Sequence, residues 1–149
     1  MKAIQAIRKA MVTIPSGASI ADAADLMDRA VVGALVVVDG ERPVGIVTDR
    51  DLALRAMAKR LPFDARVDSV MTTGLITAPA DSDLHEALQV FASHAIRRLP
   101  LVEGGQVVGM LTLDDLAIDL IDDLATLFRP VVGQVIFGGP EPEPAVVVR

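Results

Sequence analysis

Two stretches of this chain share a spacing that can do chemistry. They are Gly45-Ile46-Val47-Thr48-Asp49-Arg50-Asp51-Leu52 and Gly109-Met110-Leu111-Thr112-Leu113-Asp114-Asp115-Leu116, each Gly-x-x-Thr-x-x-Asp. Where a strand ends at the threonine and a helix begins after it, the unpaired N–H groups of the first helical turn attract phosphate. An aspartate in that turn can accept two sugar hydroxyls, and a glycine on the strand lets a ligand approach the backbone. The spacing also has a plainer use, because Thr followed three residues later by Asp is a capping box that needs no ligand. An anion would need cationic partners, and Arg97, Arg98 and Arg50 are the best placed, the last beside the first helix start. The two copies differ here. Gly33 and Ala34 stand where the second copy has Arg97 and Arg98, and Asp114 stands where the first has Arg50. Clefts built on the two copies are therefore not equivalent, and the one beside Asp114 and Asp115 repels polyphosphate unless a metal or Arg98 intervenes.

Other chemistry is excluded or weakly supported. The absence of cysteine removes disulfides, thiolate nucleophiles and cysteine-ligated metals. His85 and His94 are nine residues apart, a rotation of about 900° along a helix that puts them on opposite faces. No shared metal site is expected, and His94 is read as interacting with carbonyls at a helix end. Asp114, Asp115, Asp119, Asp122 and Asp123 read as a solvated helix face, with divalent-cation binding the alternative. No Ser–His–Asp set or carboxylate pair emerges from the spacing, so no enzyme is expected. A net charge of −6, with four Phe and no Trp or Tyr, argues against nucleic-acid binding. The longest apolar run, residues 30–38, falls short of the roughly 20 residues that span a bilayer. Arg8 and Lys9 interrupt the N-terminal apolar stretch before it becomes a secretory signal, so a cytoplasmic protein is expected.

The elements that position these residues follow from a duplication. Offsetting the chain by 64 residues aligns 12–55 with 76–119 without a gap, and about a dozen positions are identical. Each copy opens with a short β-like segment ending in proline, at Pro15 and Pro79. Helix starts follow at Ser19 with Asp22 and at Asp83 with Glu86, both capping patterns. Ile20, Ala23, Ala24 and Met27 share one helical face, as do Leu84, Ala87, Leu88 and Phe91. Two hairpins come next, residues 34–48 turning around Asp39-Gly40 and residues 99–112 turning around Gly104-Gly105. Last helices are predicted over 48–60 and 112–128, the second stopped by Arg129-Pro130. The fold class is α/β of the α+β kind, two tandem βαββα repeats packed as a pseudo-two-fold pair. The repeats are assigned to 1–64 and 65–130, with a mobile extension over 131–149. Residues 58–69 form the connection, 131–137 add a strand, and Gly138 to Pro144 reads as a polyproline-type spacer.

The repeat resembles the cystathionine-β-synthase (CBS) domain, whose tandem pairs form Bateman modules. The resemblance rests on Gly45 to Leu52, on the second Gly-x-x-Thr-x-x-Asp, and on Arg97-Arg98-Leu99-Pro100-Leu101-Val102, and it covers nearly the whole chain up to Phe128. It implies ligand clefts between the repeats for adenosine phosphates, S-adenosylmethionine or NAD-type molecules, and disc-like homodimers. By position, Asp51 and Asp115 would hold ribose hydroxyls, and Thr48 and Thr112 would sit at the sugar or phosphate. Thr13-Ile14 and Thr77-Ala78 would border the adenine. The expectation is a stand-alone regulatory module with no required cofactor and at most one tight nucleotide site per chain, signalling to a separate effector protein. The alternative is a dimeric interaction or stress-response module with empty clefts.

Overall fold

The computed structural model describes residues 1–7 and 11–137. In chain order the elements are β1 (Thr13–Pro15), α1 (Ile20–Ala30), β2 (Ala34–Asp39), β3 (Arg42–Thr48), α2 (Asp49–Asp51), β4 (Ala78–Pro79), α3 (Leu84–His94), β5 (Arg98–Glu103), β6 (Gln106–Thr112) and α4 (Leu113–Phe137). Short 3-10 turns occupy Ala3–Ala6 and Val67–Ser69, and a π-helical segment, Leu52–Met57, continues α2. The chain divides into two units, 1–115 and 116–149.

Each repeat carries a three-stranded sheet, ordered β1-β2-β3 and β4-β5-β6. In each, the first strand pairs parallel to the second and the second antiparallel to the third, so α1 and α3 are crossover helices. The βαββα order is thus present twice. Both hairpins carry a bulge at the same place, between Val37 and Val38 and between Leu101 and Val102. The turns are Gly40-Glu41 and Gly104-Gly105, the first one residue later than its expected place.

Leu35, Val36 and Val37 of β2 are all fully buried, as are Leu99, Pro100 and Leu101 of β5. Consecutive buried residues mean that both faces of these strands are covered. On one face of the first sheet, α1 supplies Ile20, Ala23 and Met27, while Ala24 is exposed despite its predicted place on that stripe. In the second repeat Ala87 and Phe91 are buried, Leu84 is half-buried and Leu88 is exposed. The helix starts are as expected: Ser19 Oγ accepts from the Asp22 N–H at 3.0 Å, and Glu86 Oε2 accepts from the Asp83 N–H at 3.2 Å.

The duplication reaches further toward the N-terminus than residue 12, and the extra segments are exchanged. Residues 65–71 close on the first repeat: Val67 and Val70 enter its core, the Ile20 N–H donates to the Ala65 carbonyl at 2.9 Å, and Val67 donates to Ala18 at 2.7 Å. Residues 1–7, their counterparts at an offset of 64, close instead on the second repeat, with Ala3 N–H donating to the Ser82 carbonyl and Leu84 N–H to the Met1 carbonyl, both at 2.9 Å. Ala3 and Ala6 are buried there. A division between residues 64 and 65 therefore does not follow the packing, because each leading segment belongs to the other repeat.

Two other expectations are corrected. Residues 48–60 do not form one regular α-helix: the Ala58 N–H reaches back five residues to the Ala53 carbonyl at 2.9 Å, and Leu61 does the same to Ala56 at 3.0 Å. Pro130 does not end the last helix, which continues to Phe137 where a strand was expected. A proline removes one i→i−4 bond and crowds one carbonyl, but leaves the hydrogen bonds on either side in place. The expected spacer from Gly138 to Pro144 lies outside the described residues. No helix among the described residues is long and apolar enough to cross a membrane.

Candidate functional site

In each repeat the end of the third strand is held beside the start of the second. Ala34 pairs with Thr48 and Arg98 with Thr112, and the next N–H extends each ladder: Asp49 donates to the Gly33 carbonyl at 3.1 Å and Leu113 to the Arg97 carbonyl at 3.0 Å. The helix starts and residues 33–34 and 97–98 therefore share one end of each sheet. β3 and β6 are also in contact, which brings these two ends together.

A cavity of about 520 Å³ opens there. The first repeat contributes Met11, Val12, Val32, Gly33, Ala34, Thr48, Asp49 and Arg50, and the second Arg97, Arg98, Met110, Thr112 and Asp114. Several walls are duplicated positions: Thr48 faces the same space as Thr112, while three pairs carry different residues, Gly33 with Arg97, Ala34 with Arg98, and Arg50 with Asp114. Three arginines against two aspartates leave the lining with one surplus positive charge. Arg97 Nη2 meets Asp114 Oδ1 at 3.3 Å, an ion pair in which both side chains are largely exposed, and Arg98 is half-buried. The Asp49 carboxylate turns back to accept its neighbour's backbone, Arg50 N–H, at 2.8 Å.

Of the residues singled out in the sequence, Thr48, Arg50, Arg97, Arg98 and Thr112 line this one cavity. Asp51 and Asp115 do not line it. Each lies in the first turn of its helix, where a carboxylate three residues after the cap bends back toward it. The Thr48 N–H donates to Asp51 Oδ2 at 2.9 Å, and Arg55 Nε stands 3.6 Å from Oδ1. Asp115 is buried, and the Thr112 hydroxyl donates to its Oδ2 at 2.6 Å. Both threonines also cap, accepting from the Asp51 and Asp115 N–H groups at 3.1 Å. Thr13 is exposed and Ile14 is part of the core, while Thr77 and Ala78 border a separate, shallower cavity of about 380 Å³ against α3. In place of Thr13-Ile14, the apolar wall comes from Met11 and Val12, just upstream. Further lining could have been found from adjacency to the motif threonines, since Met110 lies on the strand leading to Thr112 and Asp49 follows Thr48 directly.

The glycines of the two motifs have a different use from the one expected. A Cβ on Gly45 would lie 2.5 Å from Met71 Sδ and 2.8 Å from the Thr72 carbonyl oxygen, and one on Gly109 would strike Ile7 Cδ1. Met71 and Ile7 are counterparts, so each glycine admits an exchanged leading segment of the chain and not a ligand. Beside Gly45, Ile46 and Thr72 exchange backbone hydrogen bonds of 3.0 and 2.8 Å. The histidines make local contacts on α3: His85 with Gln89 at 3.3 Å, and His94 Nδ1 with Ser93 Oγ at 2.9 Å and the Val90 carbonyl at 3.2 Å. Among the described residues no group of three or more His, Asp or Glu is arranged to hold a metal.

Comparison with known proteins gives a consistent picture. The family model for the CBS domain matches the chain twice, over residues 2–57 and 67–122. The CBS domain-containing protein YhcV of Bacillus subtilis is 39% identical over 107 residues, covering 72% of this chain and 76% of that protein. Among solved structures, an uncharacterised conserved protein from Pyrococcus horikoshii superposes with a TM-score of 0.70 at 32% identity, covering 80% of this chain and 91% of the other. The CBS domain protein PAE2072 from Pyrobaculum aerophilum, complexed with AMP, gives 0.71 at 27% identity over 85% of this chain and 99% of that one.

Proposed function

The chain belongs to the CBS domain family, with two tandem copies, and from that premise we propose that it is a non-catalytic regulatory module holding an adenine nucleotide or related adenosyl ligand. The observation that carries this reading is the cavity where two threonine-capped helix starts converge with Arg50, Arg97 and Arg98. Its volume of about 520 Å³ lies within the range of small-molecule sites, roughly 300–1,000 Å³. Met11, Val12 and Val32 offer an apolar wall to a base, and the guanidinium groups offer charge-assisted hydrogen bonds to phosphate. The AMP complex of the Pyrobaculum relative supports the ligand class. No cofactor is required by this reading. The module works in the cytoplasm, touches neither nucleic acid nor membrane, and passes its state to a separate effector protein. Exposed Leu54, Met57 and Phe63 suit burial in a homodimer.

A dye-monitored melt with AMP, ADP, ATP, S-adenosylmethionine and NADH tests the proposal. Occupancy at 100 times Kd adds about 2.7 kcal/mol, which raises Tm by several degrees in a chain of this size. Arg98→Ala is expected to remove that rise while leaving the ligand-free melt within about 0.5 kcal/mol of the parent. A flat response to all five compounds at millimolar concentration would sink the reading. It would favour the interaction module with empty clefts, for which Asp51 and Asp115 already speak, since both carboxylates are engaged within their own helix starts.

A further inference from the structure

We infer that Asp114 sets the charge limit of this cavity, admitting a ligand with one phosphate group and disfavouring di- and triphosphates. The inference rests on the proposed adenosyl site and concerns what the two repeats do differently within it. At the position where the first repeat places the cation Arg50, the second places Asp114. Asp114 engages Arg97 at 3.3 Å, so one of the three guanidinium groups already has an anion before any ligand arrives. The counterpart of Arg97 is Gly33, and the missing side chain leaves room for a second carboxylate: a Cβ there would lie only 3.2 Å from Asp49 Oδ2. One side of the cavity thus presents the carboxylate of Asp114 where the other has Arg50, and that other side presents Asp49 beside Gly33, where the counterparts are Leu113 and Arg97.

The surplus of one positive charge suits a phosphate monoester, which carries about two negative charges near neutral pH. A longer phosphate chain must either displace Asp114 from Arg97 or face both carboxylates. Asp114 is largely solvated, so the penalty is screened and amounts to about twofold in affinity per added negative charge.

Calorimetric titration of the full chain, with Mg²⁺ chelated, tests this with two series of probes: AMP, ADP and ATP, and phosphate, pyrophosphate and tripolyphosphate. The parent is expected to weaken along both series. Asp114→Asn should strengthen the longest member of each by about tenfold and the shortest by about threefold or less, an asymmetry worth about 0.7 kcal/mol. Asp114→Glu should restore the parent ranking, and in Arg97→Gln the gain from Asp114→Asn should shrink, because the freed guanidinium is absent. Parent binding of ATP as tight as that of AMP overturns the inference, as does an Asp114→Asn effect equal for all members. If the inorganic series ranks and responds as stated while no nucleotide binds, the adenosyl reading fails and the charge limit stands. If nucleotides bind unranked, only the charge limit fails. Absence of binding in both series, by parent and Asp114→Asn alike, overturns both.

Discussion

Asp51 and Asp115 hold the same place in the duplication, yet their carboxylates are satisfied in different ways. Asp51 accepts from a backbone N–H and has Arg55 nearby, while Asp115 is buried and takes the Thr112 hydroxyl. Asp51→Ala should therefore cost about 1 kcal/mol, the usual loss of a helix cap. Asp115→Ala should cost about 2–3 kcal/mol, because it also strands a partly buried hydroxyl. Urea denaturation of the two variants checks the order. Asp68 offers a second test. Hydrogen bonds from Arg66, the shortest 2.6 Å, hold its carboxyl below the usual carboxylate value, with burial opposing and the Arg66 charge assisting. A carboxyl lowered in the folded state contributes stability above its unfolded value, about 3.9, and loses that contribution as pH falls through the folded one. The advantage of the parent over Asp68→Asn should thus be constant from pH 5 to 7, begin to fall near pH 4 and disappear only at lower pH, as read from paired melts.

At the scale of elements, the helix ends hold what the sequence made legible and what it hid. The caps at Ser19, Thr48, Asp83 and Thr112 were readable because a short polar side chain with an acid three residues on has one efficient local use. The opposite ends were not. Val31 and Ala95, again counterparts, adopt left-handed conformations with φ of 54° and 51°, positions at which glycine is the usual residue. Val31 is 81% exposed and β-branched, so nothing in its packing favours the strain. Val31→Gly should raise stability by about 1 kcal/mol, after allowing for glycine's greater freedom when unfolded, and thermal unfolding measures it. The motif glycines misled in the other direction, since their spacing suits a ligand as well as it suits a neighbouring segment. Gly45→Ala would drive a Cβ into the Thr72 backbone, whereas Gly109→Ala meets only the end of the Ile7 side chain, which can rotate. The first should cost about 2–3 kcal/mol and the second about 1 or less. Equal losses would mean that the leading segments do not sit where the structure has them.

For the whole molecule, the duplication was legible from twelve-odd identities, but the exchange of leading segments was not. Residues 1–7 and 65–71 share no identical position, because they preserve only buried apolar side chains and backbone hydrogen bonds, as in Ala3 with Val67 and Ala6 with Val70. Periodicity also could not place the cavity's apolar wall, since Met11 and Val12 precede β1 and carry no helical or strand pattern of their own. The exchange has a mechanical consequence. The first repeat owns its covering segment through the connection between repeats, and Arg55 clamps that segment by donating to the Val70 carbonyl and Thr72 Oγ1, both at 3.2 Å. Removing residues 1–7 should therefore uncover Gly109 and the Ser82 and Leu84 backbone while leaving the first repeat's core closed. Amide exchange should then quicken over β5, β6 and α3 and stay slow over β2 and β3, with a loss of about 2–4 kcal/mol from the two buried alanines and the broken bonds. Uniform acceleration across both repeats would mean instead that the two sheets unfold as one cooperative unit, and that residues 1–7 stabilise the pair and not the second repeat alone.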